Sequence, residues 1–166
     1  MKRVLLDTNI YGLIVKDNDR AKIRNKIEKE RAVVVYGLPL IRRELRSTPK
    51  NIRIDGINLR NDLLVLYDKL TENHLLKFLN EAEELAESYF YIYKEIGGFA
   101  SRDEIVKDFC IIAYASLNLL DIVVSDDSRT MFSEKATKSY SIANQIKKIR
   151  LPRFVNYEEF KRELKL

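Results

Sequence analysis

Acidic side chains stand directly after two of the apolar runs in this chain. Asp7 follows "VLL" in "VLLDTNI" (residues 4–10), and Asp126 and Asp127 follow "IVVS" in "DIVVSDD" (residues 121–127). Two further acids lie in apolar settings, Glu44 in "LPLIRREL" and Asp108 in "KDFCIIAYAS". Polar atoms are costly to bury without a partner, so a carboxylate at the end of a buried strand needs something to satisfy it. If these acids converge, each raises the pKa of the others unless a cation stands among them. The chain has one histidine and one cysteine, His74 and Cys110, so a cage of nitrogen or sulfur ligands is excluded. Oxygen-only ligation points to Mg²⁺ or Mn²⁺, which keep waters and take few carboxylates. One or two such ions could activate water and stabilise the leaving oxygen of a phosphodiester. Thr8, Asn9 and Ser125 would orient the carboxylates.

Taken singly, each acid also has a plainer reading. Asp7 alone reads equally as a turn former or helix N-cap, Asp126-Asp127-Ser128 as a loop, and Glu44, among Arg42, Arg43 and Arg46, as a solvated helix residue. Asp108 resists this, because it borders the face formed by Ile105, Phe109, Ile112, Ser116 and Leu119 at helical spacing.

Positioning these acids requires strands that end at one rim. "RVLL" (3–6), "AVVVY" (32–36) and "DIVVS" (121–125) read as strands buried on both faces, and helical patterns separate them. That alternation predicts an α/β domain with a mainly parallel sheet, in which ligands bind outside the carboxyl ends of the strands. Residues 17–31 predict a surface helix, and Pro39 opens another through "LIRREL". "NIRIDGIN" (51–58) reads as an irregular connection. Residues 61–71 and 73–96 predict two helices, the second stopped at Gly97-Gly98, making a helical hairpin inserted over about 57–97. Ser101 and Glu104 form a capping box, so a helix should run from Ser101 to about Asn118. "VNYEEFKREL" predicts a short closing helix.

The whole chain, residues 1–166, reads as a single domain with enough residues to bury a core. Thirty Lys and Arg against 25 Asp and Glu give a net charge of +5, which would help a polyanion approach without identifying one. One cysteine fits a reducing, cytoplasmic setting. The chain lacks an apolar run near the ~20 residues of a membrane span, so no membrane association is expected. His74 stands alone without base partners, and Cys110 reads as a small core residue. The aromatic run "YFYIY" (89–93) exceeds what one helical face can bury, leaving part for a partner surface. Lys147, Lys148, Arg150 and Arg153 read as a solvated basic face or as phosphate contacts.

The residues resemble the PIN-domain family, of the kind that includes the toxin ribonucleases of VapBC toxin-antitoxin pairs. The resemblance rests on "LLDTNI", on "LPLIRREL" placing Glu44, on "KDFCIIAYASLNLLDIVVSDD", and on the order of elements along nearly the whole chain. It implies a three-layer α/β/α sandwich with a parallel sheet of four or five strands. It also implies a Mg²⁺- or Mn²⁺-dependent endoribonuclease with Asp7, Glu44, Asp108 and Asp127 as ligands. Ser125 takes the family's Thr/Ser place, and Asp126, in the variable slot, stays an alternative ligand. Asp103 is near but more simply favours the positive end of its helix. Homodimers and a small inhibiting antitoxin are implied as partners. Arg42, Arg43, Arg46 and Arg129, near these acids, read likewise as RNA phosphate contacts or as a solvated basic face. Two rivals remain: a 5′-nuclease acting on DNA, and a non-catalytic RNA-binding or assembly module.

Overall fold

The structure is a computed structural model that describes residues 1–166. Its core is a four-stranded sheet, β1 (Lys2–Leu6), β2 (Val33–Tyr36), β5 (Ile122–Val124) and β6 (Arg153–Val155), in the order β2-β1-β5-β6. Every pairing in it is parallel, with Val4 opposite Val35 on one side and Ile122 on the other. Val4, Leu5, Leu6, Val123 and Val124 are fully buried, as expected of central strands covered on both faces. From β1 the chain moves outward to β2, and from β5 it moves the opposite way to β6. The order therefore reverses between β1 and β5, and their carboxyl ends form the switch point at which open parallel sheets bind ligands.

Helices α1 (Thr8–Lys16), α2 (Arg20–Glu28), α3 (Pro39–Arg46) and α4 (Leu59–Thr71) pack together beside β2. A second group is α5 (Asn80–Glu95), α6 (Arg102–Leu117) and α7 (Glu134–Lys147), with α6 against β5. The chain closes with α8 (Tyr157–Glu163). The three predicted strands and the α/β/α arrangement are present, and the fourth strand is β6. Its three residues, only partly buried, carry too short a pattern to read as a strand.

Five expectations are corrected. The helix predicted from residue 17 is preceded by α1, which starts directly after Asp7, and α2 follows a break at Asp17–Asp19. "NIRIDGIN" is a two-residue hairpin of β3 (Arg53–Ile54) and β4 (Ile57–Asn58), turned by Asp55 (φ 49) and Gly56 (φ 78), the positive angles an Asp-Gly turn supplies. Residues 73–79 are not helical: the N–H of Gly37 donates to the carbonyl of His74 and that of Leu76 to Gly37, drawing this segment onto the end of β2. The two inserted helices do not close on each other as a hairpin; α4 packs chiefly against α1–α3, and α5 against α6 and α7. Leu119 also leaves the predicted buried face, because α6 ends at Leu117 and Leu119, with φ 54, turns outward while Leu120 is buried.

On α5, Tyr89 and Tyr93 are buried and Tyr91 is exposed, which divides the aromatic run as one helical face allows. The Tyr89 hydroxyl donates to Asn144 Oδ1 at 2.6 Å, and Asn144 Nδ2 donates to Ser116 Oγ at 3.1 Å, so a closed polar network ties α5, α6 and α7. Ser101 caps α6 as expected, its N–H donating to the Glu104 carboxylate at 2.7 Å. No helix is long and apolar enough to cross a membrane.

Candidate active site

Asp7 is both the residue after β1 and the N-cap of α1, a double role that aims its carboxylate at the switch point. One of its oxygens accepts from the Thr8 N–H at 2.7 Å; the other accepts from Asn9 Nδ2 and from the Ser125 hydroxyl, each at 2.7 Å. Ser125 directly follows β5, so this last bond joins the ends of the two strands at which the sheet order reverses. Burial raises the pKa of Asp7, these hydrogen bonds oppose the rise, and the charges of Glu44 and Asp127 add to it. Asn9 Nδ2 also reaches Ser125 Oγ at 3.0 Å, and the Asp127 N–H donates to the same hydroxyl at 3.1 Å. Asp7, Asn9, Ser125 and Asp127 thus form one connected network.

Glu44 joins from α3. Its Oε2 accepts from the Thr8 hydroxyl at 2.5 Å, and Lys107 of α6 stands 3.4 Å from Oε1. Asp108 follows Lys107 on α6, and the Thr130 hydroxyl lies 2.6 Å from its Oδ2. Burial pushes Asp108 up to about 7; the Thr130 bond works against this, while Asp7, Asp127 and Glu44 reinforce it. Hydrogen bonds tie the acids together: Ser125 links Asp7 to Asp127, Thr130 links Asp127 to Asp108, and Thr8, next to Asp7, holds Glu44. For Asp127, burial works upward but is outweighed by the Thr130 hydroxyl, the N–H groups of Thr130 and Arg129, and the Arg129 charge, so its pKa is lowered.

Thr130 and Lys107 have no place in the sequence reading. The available signal for Thr130 was a hydroxyl three residues beyond an acid in a turn, where Asp127 Oδ1 accepts the N–H groups of Arg129 at 2.9 Å and Thr130 at 2.8 Å. Lys107 carried no local signal, since its partner lies on another helix.

Asp126 is directed elsewhere: its Oδ1 accepts from the Tyr157 N–H at 2.7 Å, and it lines a hollow of about 480 Å³ with Ser128 and Asn156. Asp103 is exposed in the first turn of α6. Of the four arginines expected at phosphates, Arg129 alone adjoins the acids. Arg42 forms a two-pronged pair with Asp68 at 2.8 and 2.9 Å, Arg43 borders an apolar hollow with Pro39 and Phe78, and Arg46 lies in a cleft towards α4. Arg150 and Arg153 pair with Asp121 and Glu163. Since Asp121 precedes β5, the Arg150 pair lies at the end of the sheet opposite the acids.

The donor set suits a hard divalent cation, being four carboxylates with hydroxyl and amide neighbours, and burial together with the neighbouring acids raises Asp108 to about 7. No three of the acids are arranged to hold one ion together as they stand. Mg²⁺ binds through one or two carboxylates and completes its shell with water, so a three-acid cage is not required.

No protein-family model matches the chain, and no curated protein matches it in sequence. Among solved structures, a chain of FitAB bound to an IR36 DNA fragment is similar over 93% of this chain and 94% of its own, with a TM-score of 0.54 and 17% identity. A likeness at that identity carries the fold alone, and the fold it carries is the PIN-like α/β/α sandwich with a parallel four-stranded sheet.

Proposed function

We propose that this protein is a Mg²⁺- or Mn²⁺-dependent endoribonuclease that hydrolyses RNA phosphodiester bonds, working as the toxin of a toxin-antitoxin pair. The observation that carries the reading is a hydrogen-bonded chain at the β1/β5 switch point, Asp7 to Ser125 to Asp127 to Thr130 to Asp108, with Glu44 held by Thr8 beside Asp7. These four residues would hold the cation, which when bound supplies polarised water for attack on phosphorus and charge to offset the leaving oxygen. The chain's other residues position the ligands. Ser125 and Asn9 fix both the rotation of the Asp7 carboxylate and its link to Asp127, Thr8 holds Glu44, and Thr130 holds Asp108 against Asp127. Arg129, beside Asp127, meets the incoming phosphate. Exposed Tyr91 and Ile146, beside one groove between α5 and α7, support a partner surface for an antitoxin or a second copy.

The second reading, a non-catalytic RNA-binding module, is favoured by one contact: the Lys107 ammonium already neighbours Glu44, as a cation would. Incubation with a mixed RNA pool decides between them. Cleavage with Mn²⁺ that stops on adding EDTA and in Asp7→Asn supports the nuclease; cleavage that persists in either condition overturns the metal site. RNA bound but uncut under all conditions gives the second reading.

A further inference from the structure

On α3, Arg42 and Arg46 are four residues apart and share a face, while Glu44 is turned about 200° away at ~100° per residue. The contacts agree, because Glu44 reaches Thr8 in the acid site whereas Arg42 reaches Asp68 on α4. Beyond that arginine face lies a cleft of about 450 Å³ between the carboxyl end of α3 and the amino end of α4, lined by Arg42, Arg46, Lys50, Asn58, Arg60 and Asn61. Its walls are held in place. Asn58 Nδ2 donates to the Lys50 carbonyl at 2.6 Å, Asn58 Oδ1 accepts the Asn61 N–H at 3.0 Å, and the Leu59 N–H donates to the Ile52 carbonyl at 3.0 Å.

The cleft holds positive charge without local compensation. Both acids of α4 are taken, Asp62 by Arg20 at 2.5 Å and Asp68 by Arg42 at 2.8 Å. Arg46, Lys50 and Arg60 line the same hollow and make no salt bridge, whereas the neighbouring Arg42 and Arg20 do. Three unpaired cations around one pre-shaped hollow match the phosphates of a nucleic-acid backbone.

We propose that this cleft is a second binding site for the RNA strand, gripping its phosphates on the side of α3 away from the acids. This rests on the reading of the protein as an RNA-cutting enzyme, and it names how the strand is held there. A helix is ~10 Å across, so a strand that occupies both sites crosses α3 and runs several nucleotides beyond the cut. Phosphate contacts add affinity without sequence choice, so the cleft contributes hold and register.

The test measures binding without cleavage, in EDTA and in the Asp7→Asn background, by fluorescence anisotropy of a labelled single-stranded 20-mer RNA across a salt series. Failure of the nuclease reading would appear in the cleavage assay and leaves this measurement interpretable. Replacing Arg46, Lys50 and Arg60 together by Ala is expected to weaken binding at least tenfold near 0.1 M salt, and to reduce the slope of log K against log salt by about 2, at ~0.7 per lost contact. A charge-matched control, Lys29, Lys138 and Lys165 to Ala, all exposed, is expected to change binding less than threefold. R46K/R60K keeps the charges and is expected to bind as the parent does. Equal losses in the two alanine triples, or a loss in R46K/R60K as large as in the alanine triple, would overturn the proposal. A DNA 20-mer of the same sequence is expected to lose affinity on the same three replacements, because the cleft grips phosphates that both strands carry; RNA binding that ignores the three residues would overturn the proposal.

Discussion

Asp108 and Asp127 share one hydroxyl: Thr130 Oγ1 lies 2.6 Å from Oδ2 of each. A hydroxyl carries a single hydrogen, so Thr130 donates to one carboxylate only, and the second close contact needs a proton from the other partner. Asp108, raised to about 7 while Asp127 is lowered, is the acid that carries it. While Asp108 is protonated, below about pH 7, the order is Asp108 to Thr130 to Asp127. A bound cation would displace that proton and leave the Thr130 hydroxyl to orient one of the two acids.

Thr130→Val keeps the shape and removes the donor. Groups that orient metal ligands commonly contribute 10–100-fold to metal affinity. The expected result is an Mn²⁺ requirement for cleavage shifted upward by roughly that factor, read from an activity titration. An unchanged titration would show that Thr130 merely packs.

The raised pKa of Asp108 makes metal-free stability depend on pH. An unfolded Asp loses its proton near ~3.9, whereas folded Asp108 keeps it to about 7. Below pH ~4 both states hold the proton; as pH climbs to about 7, stability falls, by at most ~1.4 kcal/mol per pH unit, and then levels off. Asp127, held low, acts in the opposite sense and only below its ordinary range. In EDTA, urea midpoints should therefore drop between pH 4.5 and 7.5, less so in Asp108→Asn. Added Mg²⁺ should restore stability most at the upper end.

Two Tyr→Phe substitutions should have opposite signs. Tyr11 on α1 is fully buried and its hydroxyl has no hydrogen-bond partner. An unmet buried hydroxyl is unfavourable by ~1–3 kcal/mol, so Tyr11→Phe should stabilise the fold by about 1 kcal/mol, measured as a higher urea midpoint.

Tyr89→Phe should destabilise by about 1–3 kcal/mol, because it strands the Oδ1 of buried Asn144, which the Tyr89 hydroxyl meets at 2.6 Å. A neutral result would mean that Asn144 finds another donor.

This pair of tyrosines shows where local sequence stops being informative. Both lie on amphipathic helices among apolar residues, and nothing adjacent distinguishes a satisfied hydroxyl from an orphan. The same limit applies to Lys107 and Thr130, whose importance comes from Glu44 and Asp108, 63 and 22 positions away. It also explains residues 73–79, whose helical pattern yields to pairing with Gly37 just after β2.

What the sequence determined by itself was the set of elements with strong periods and clear stops: β1, β2, β5, the helix after Pro39, and α6 with its Ser101 cap. It also placed Asp7 and Ser125 at strand ends, because a polar residue closing an apolar run marks the point where the strand leaves the core. Only the tertiary structure decided that β1 and β5 are neighbours, that Asp126 faces Tyr157 while Asp127 faces Thr130, and that Arg42 and Arg46 look away from the acids. Strand order and side-chain direction arise from packing between segments far apart in the chain, and no local pattern carries that information.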